Sequence, residues 1–272
     1  MNAEMDFHTA KALLEWQLEM GADEAILDAP VNRYEAPKPA LPAAAPAASA
    51  PMPTRTAKPP VPAPEPEVDP VAEARVAARA ATSLEALEAA LAAFPHCDLK
   101  KGARNLVFGD GQPTGRVMIV SGAPDRDEDR EGRPFVGSAG QLLDRMFDAI
   151  GLSRGAPDAE AALYTTTMLP WRPPQGRDAS PQELAMLRPF VEKHIELAAP
   201  DLLVLMGNAP CAGLLKKSGI TRLRGHWQEV KGIPAMPMAH PDALLKNASL
   251  KREAWQDLLA IKARLLGEGK AP

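Results

Sequence analysis

Four apolar runs alternate with amphipathic stretches over the second half of this chain, and no other feature limits its possible folds so strongly. RVMIVSG (116–122), ALYTTTML (162–169), DLLVLMG (201–207) and IPAMPMAHP (233–241) have the length and bulk of buried strands. Between and after them lie SAGQLLDRMFDAIGL, SPQELAMLRPFVEKHIELA, APCAGLLKKSG and SLKREAWQDLLAIKARLLGEG, which repeat apolar residues at helical spacing. Strand and helix taking turns across short connections predict a parallel sheet covered on both faces. The expected fold is a three-layer α/β/α domain with a mainly parallel four-stranded central sheet, over residues 71–272. VAEARVAARAA and the stretch after Ser83, a candidate N-cap, add two helices ahead of it.

The N-terminal quarter reads differently. Residues 1–34 hold one helical pattern, with Leu13, Leu14, Trp16 and Leu18 near helical spacing and Gly21 as a stop. Residues 35–70 are rich in proline and alanine and almost free of large apolar side chains. Such a stretch buries too little surface to offset the entropy of ordering it, so a disordered linker is expected. The helix ahead of it is a candidate docking element for a protein partner. The net charge of −4 argues against bulk coating of nucleic acid, though not against a local basic face. Two cysteines, Cys97 and Cys211, are too few for a disulfide framework. No run approaches a membrane span, and the first residues lack the pattern of a signal peptide. A cytoplasmic monomer is expected.

In sheets of this kind ligands bind beyond the carboxyl ends of the strands. The segments to search for chemistry are therefore SGAPDRDEDREGRPFVG, LPWRPPQGRD, GNAP and AHPDALLKN. In the first, Pro134-Phe135-Val136 sets apolar residues where solvent is expected, and glycines at 132, 137 and 140 permit tight turns. Ser138-x-x-Gln141 has the form of a capping box, which predicts a helix from about Ala139. His240 directly follows the last apolar run. Neither GxGxxG nor GxxxxGK[ST] is present to support a nucleotide-binding reading.

The stretch GAPDRDEDREGRPFVGSAGQLLDRM resembles the first motif of family 4 of the uracil-DNA glycosylase superfamily. That motif runs Gly-Glu-Ala-Pro-Gly, an acidic pair, then Gly-x-Pro-Phe-Val-Gly-x-Ala-Gly. WRPPQGR (171–177), LLVLMGNAP (202–210) and HPDALLKNASLKREAW (240–255) resemble later landmarks in the same order, and the likeness runs from about Thr82 to Leu266. The resemblance implies an enzyme that flips uracil out of DNA and hydrolyses its N-glycosidic bond, leaving an abasic site. It implies Gly122, Ala123, Pro124, Phe135 and Thr167 as substrate-binding residues, with Phe135 stacking on the base. His240 is implied as donor to the uracil oxygen that becomes negative. Leu244 and Leu245 fall where the superfamily wedges an apolar side chain into the vacated stack, and an inward, core-packing role is the alternative. Lys246, Arg222 and Arg224, with Lys216, Lys217, Lys251 and Arg252, are candidates for a phosphate-tracking face.

Several positions depart from the family. Its iron–sulfur cluster takes four cysteines, and here Phe94, Trp171 and Leu187 replace three of them, leaving Cys97. One thiolate does not hold such a cluster, so neither a metal nor any other cofactor is expected. Gly122 stands in place of a glutamate and Thr167 in place of an asparagine that reads the uracil edge, which puts base discrimination in question. Asp125, in place of the motif's second glycine, is a candidate to restore the missing carboxylate, and Glu128 aligns with an acid the family retains. The resemblance makes both joint candidates for the water-orienting or cation-stabilising role, whereas Asp127 and Asp129 are expected to be solvated or capping. A DNA-binding homologue with lost or altered base specificity is the second reading.

Overall fold

A computed structural model of the chain describes residues 69–267 together with Lys11, Leu13 and Trp16. The chain divides into two compact units, residues 1–61 and 62–272. In the first, Lys11, Leu13 and Trp16 are helical and exposed, and the remainder of the expected N-terminal helix lies outside the described residues. The expected proline-rich linker does too, except its last two residues, Asp69 and Pro70, which begin a helix of the second unit.

The second unit is built on a six-stranded sheet of order β1-β3-β2-β4-β6-β5. Its centre is the four runs identified above: β2 (Val117–Ser121), β3 (Leu163–Thr167), β4 (Leu202–Met206) and β6 (Ile233–Met238), all parallel. Every residue of β2, β3 and β4 is buried, as expected for strands covered on both faces. Two short antiparallel strands, β1 (Gly109–Gly111) and β5 (Gln228–Val230), close the edges. Three successive hydroxyls of β3 fasten the first of these edges. Thr165, Thr166 and Thr167 donate from Oγ1 to the carbonyls of Asp110, Phe108 and Val107 at 3.0, 2.6 and 3.1 Å.

Side-chain alternation along the strands sorts the core into two halves. Met118, Val120, Leu203 and Leu205 point to the layer formed by α1 (Pro70–Ala80), α2 (Leu84–Ala93) and α5 (Pro181–Ala198). Val117, Ile119, Leu202 and Val204 point to the layer of α4 (Gly137–Asp148), α8 (Pro241–Lys246) and α9 (Lys251–Leu265). Ser83 caps α2 as expected, accepting from the Ala86 N–H at 3.2 Å.

The segment after β2 differs from the expected loop. Arg126–Glu131 is a helix, α3, capped by Asp125 and closed by Gly132 in the left-handed conformation. Helix α4 then starts at Gly137 rather than Ala139. Its N-cap is Val136, which makes no side-chain capping bond, and Ser138 lies inside the helix. Gly137, at φ +77°, turns the chain directly into helical geometry and leaves the expected Ser138 box without a terminus to cap. Short helices at Asn208–Pro210 (α6) and Ile220–Leu223 (α7) lie between β4 and β5.

Candidate active site

The site is assembled where the four parallel strands end. Beyond β2 run Gly122, Ala123 and Pro124, and beyond β3 the chain passes through Met168, whose N–H donates to the carbonyls of Ser121 and Gly122 at 2.9 and 3.0 Å. Beyond β6 comes His240, which serves as the N-cap of α8, with Pro241 in the first turn. This topology brings two side chains far apart in sequence into contact. The rings of Phe135 and His240 are stacked, with centroids 5.5 Å apart and planes 19° from parallel.

Phe135 is 1% exposed and sits at φ +55°, a backbone region that costs a bulky side chain about 1–2 kcal/mol. Three neighbours hold it there. Glu128 Oε1 accepts the Phe135 N–H, and the Arg154 guanidinium donates to the carbonyl of Pro134 at 3.3 Å. The Phe135 carbonyl lies over Gly140, where any Cβ would overlap its oxygen. Arg154 is itself fixed by carboxylates of Asp110 and Asp144, at 2.7 and 2.8 Å. Nothing in the local sequence around Arg154 marks it for this work, since its partners come from β1 and α4.

The loop carboxylates divide the labour. Asp125 is exposed, and its Oδ1 accepts the N–H groups of Asp127 and Glu128, both at 2.8 Å. Glu128 is 7% exposed and completes the reciprocal capping box, its Oε2 accepting the Asp125 N–H at 2.7 Å. Asp129, expected to be solvated or capping, is instead buried. Its Oδ1 accepts from Arg104 N at 2.8 Å, and Asn105 Nδ2 donates to the Asp129 carbonyl at 2.9 Å, tying α3 to the segment ahead of β1. Asp127 pairs with Arg130 at the surface.

Burial pushes the Glu128 carboxyl up to about 7, although the two N–H donors act in the opposite direction. Because the folded value lies above the ordinary one near 4.5, the contribution of Glu128 to stability is complete below about pH 4.5 and is lost as pH rises through about 7. Wild-type protein should therefore lose stability relative to Glu128→Gln between pH 5 and pH 8, by up to about 3 kcal/mol, in denaturant titrations at the two pH values.

Burial lowers the His240 pKa, with the carboxylates of Asp242 and Asp125 opposing it, so the imidazole is neutral near pH 7. Its Nδ1 accepts the Asp242 N–H at 3.3 Å. A neutral ring that accepts at Nδ1 carries its proton on Nε2, which makes Nε2 the available donor. Asp242 escaped the sequence reading, although its position two residues after the histidine was there to be seen.

Several other expected site residues have commitments of their own. The Thr167 hydroxyl is committed to Val107, as described above, and Thr167 is buried. Leu244 is 1% exposed and packs in the core beside α4, whereas Leu245 is 46% exposed. Lys246 and Arg222 are exposed. Arg224 is largely enclosed, paired with Asp257 at 2.8 Å and Glu253 at 2.9 Å, so its charge is spent internally. His194 is buried, bonded to the Tyr164 hydroxyl at 2.9 Å and stacked on Phe108, and burial takes its pKa down to about 3. His96 pairs with Glu73, His226 is exposed, and His8 lies outside the described residues.

Phe94, Cys97, Trp171 and Leu187 are all buried in one core cluster with α5, and Phe94 meets Phe190 edge-on at 5.3 Å. One thiol among three large side chains that offer no metal ligand does not fit an iron–sulfur cluster, and burial pushes that thiol's pKa up, away from the thiolate form that binds metal. Among the described residues no group of three or more His, Cys, Asp or Glu side chains is arranged to hold a metal ion. Protein purified in air should carry no stoichiometric iron and no visible absorption band, by metal analysis and absorption spectroscopy.

Fold and site together define an α/β protein of the doubly wound class, with an aromatic ring and an imidazole converging at the carboxyl edge of its sheet. The sequence profile of the uracil DNA glycosylase superfamily matches residues 108–259, and the chain belongs to that superfamily. It is 32% identical over 190 residues to the type-4 uracil-DNA glycosylase of Sulfurisphaera tokodaii, covering 66% of this chain and 84% of that one. Identity to the type-4 uracil-DNA glycosylase of Archaeoglobus fulgidus is 33%, over 61% of this chain and 84% of the relative. For the type-4 uracil-DNA glycosylase of Thermotoga maritima it is 33%, over 64% and 90%.

Proposed function

We propose that this protein is a uracil-DNA glycosylase that works without iron, hydrolysing the N-glycosidic bond of an extruded deoxyuridine. The observation that carries the proposal is the contact between Phe135 and His240. As the bond breaks, negative charge gathers on the base and positive charge on the sugar. Phe135 offers a flat surface for the ring, and His240 Nε2–H offers a hydrogen bond to the oxygen gaining charge. The two rings are parallel and touching, so the imidazole has to turn edge-on to the base as the base enters. Asp242 and Asp125 bring negative charge to the imidazole's surroundings, the sign that favours a cationic sugar, and Glu128 adds to it as it ionises. Excision from uracil-containing oligonucleotides, beside matched strands with hypoxanthine and xanthine, tests the reading. Release of uracil supports it, and release of none sinks it.

A second reading, DNA binding with lost or altered base specificity, is favoured by two observations. Position 122 bears no carboxylate, and the Thr167 hydroxyl is bonded to the backbone rather than free to read a base edge. The geometry permits a direct test. A Cβ at Gly122 would meet only the Ala209 methyl, at 3.6 Å, an ordinary contact. Gly122→Glu should fold normally and raise the single-turnover excision rate roughly 10-fold or more, through the added carboxylate. An unchanged rate would mean that this position does not limit the chemistry.

A further inference from the structure

A groove between α4 and α9 is left over once the catalytic pair is accounted for. It encloses about 230 Å³, with Leu142, Met146, Leu244 and Leu258 forming its floor and Trp255 one wall. Trp255 is 44% exposed, as is Leu259 one turn further along α9, at 45%. The indole is thus open to solvent at the edge of an apolar groove. Arg145 and Lys251 line the groove, Lys246 and Arg252 are close to its lining residues in the chain, all four are exposed, and none makes an ion pair among the described residues. Of the carboxylates on the same helices, Asp144 is engaged with Arg154 and Glu253 with Arg224, while Asp148 is exposed without an ion pair among the described residues. The groove also shares Leu244 with α8, the short helix that His240 caps, which places it one helical turn along the chain from the candidate catalytic histidine.

An indole face rimmed by unpaired cations matches a nucleic-acid strand, which supplies flat bases and phosphates together. We infer that Trp255 is a stacking platform for an unpaired nucleobase of the DNA strand flanking the target. This rests on the glycosylase reading above for its placement, and it adds a strand preference to it. A base within a duplex is occupied by its partner and neighbours, so the platform favours uracil in single-stranded or opened DNA.

The test uses the full chain and two fluorescent single-stranded probes, a uracil-free oligonucleotide and a tract of the same length whose sugars carry no bases. Stacking on an aromatic side chain is typically worth ~1–3 kcal/mol per base, so Trp255→Ala should bind the base-bearing strand about 5- to 150-fold more weakly by anisotropy. Trp255→Phe should recover most of that affinity, and all three proteins should bind the base-free tract alike. Three results would overturn the platform: equal affinity of wild type and Trp255→Ala for the base-bearing strand, an equal loss on both probes, or a homodimer that Trp255→Ala dissociates. Uracil release is measured separately on the same preparations. A protein that releases no uracil yet shows the Trp255 dependence loses the glycosylase reading and keeps the platform.

Discussion

Replacing His240 by alanine is expected to lower uracil excision about 100- to 1000-fold, the usual loss when one donor to a developing oxyanion is removed. The change also removes the N-cap of α8, at a cost of about 1 kcal/mol, so stability has to be measured alongside. His240→Asn separates the two effects. Asparagine caps helices well but is too short to hold a donor where Nε2 reaches, so stability should return while excision stays low. Denaturant melts and single-turnover excision on the three proteins check this. Near-wild-type excision by either variant would remove His240 from the chemistry.

Glu128→Ala is expected to be the most damaging single change to the site's framework. It leaves the N–H groups of Phe135 and Asp125 without their acceptor, at about 1–3 kcal/mol for the buried Phe135 donor and less for Asp125, which water can reach. It also releases Phe135 from a conformation that the residue would not choose alone. A loss of about 1–4 kcal/mol in unfolding free energy should appear with a fall in excision. Glu128→Gln, which keeps one acceptor, should lie between. If the alanine variant keeps its stability and loses only excision, Glu128 acts on the reaction and is no clamp. A loss of stability with full excision would show that the Phe135 conformation does not matter to the reaction.

What could be read from the sequence follows how each part is stabilised. The four central strands are fully buried runs of bulky residues, and such runs announce themselves. Strands β1 and β5 are three residues each, GDG and QEV, held by hydrogen bonds to a neighbour that no local pattern reveals. Helix α3 was hidden for another reason. RDEDRE has no apolar residue to give a period, and its stability comes from a capping box. That box, Asp125-x-x-Glu128, is present in the letters beside a similar one, Ser138-x-x-Gln141, that caps nothing, and spacing alone does not separate the two. The Phe135 and His240 positions were legible as points on a motif, and their contact followed from parallel strands ending on one side. Arg154 and the pairing of Arg224 with Asp257 were not legible, because long-range ion pairs leave no periodic trace.

The corner closed by Phe94, Trp171 and Leu187 around Cys97 changes what the protein depends on in the cell. A scaffold sealed with hydrocarbon reaches its final form as soon as the chain collapses, with no delivery of inorganic sulfide or ferrous ions. A repair activity mounted on a body that binds no cluster is expected to be indifferent to peroxide and to iron supply.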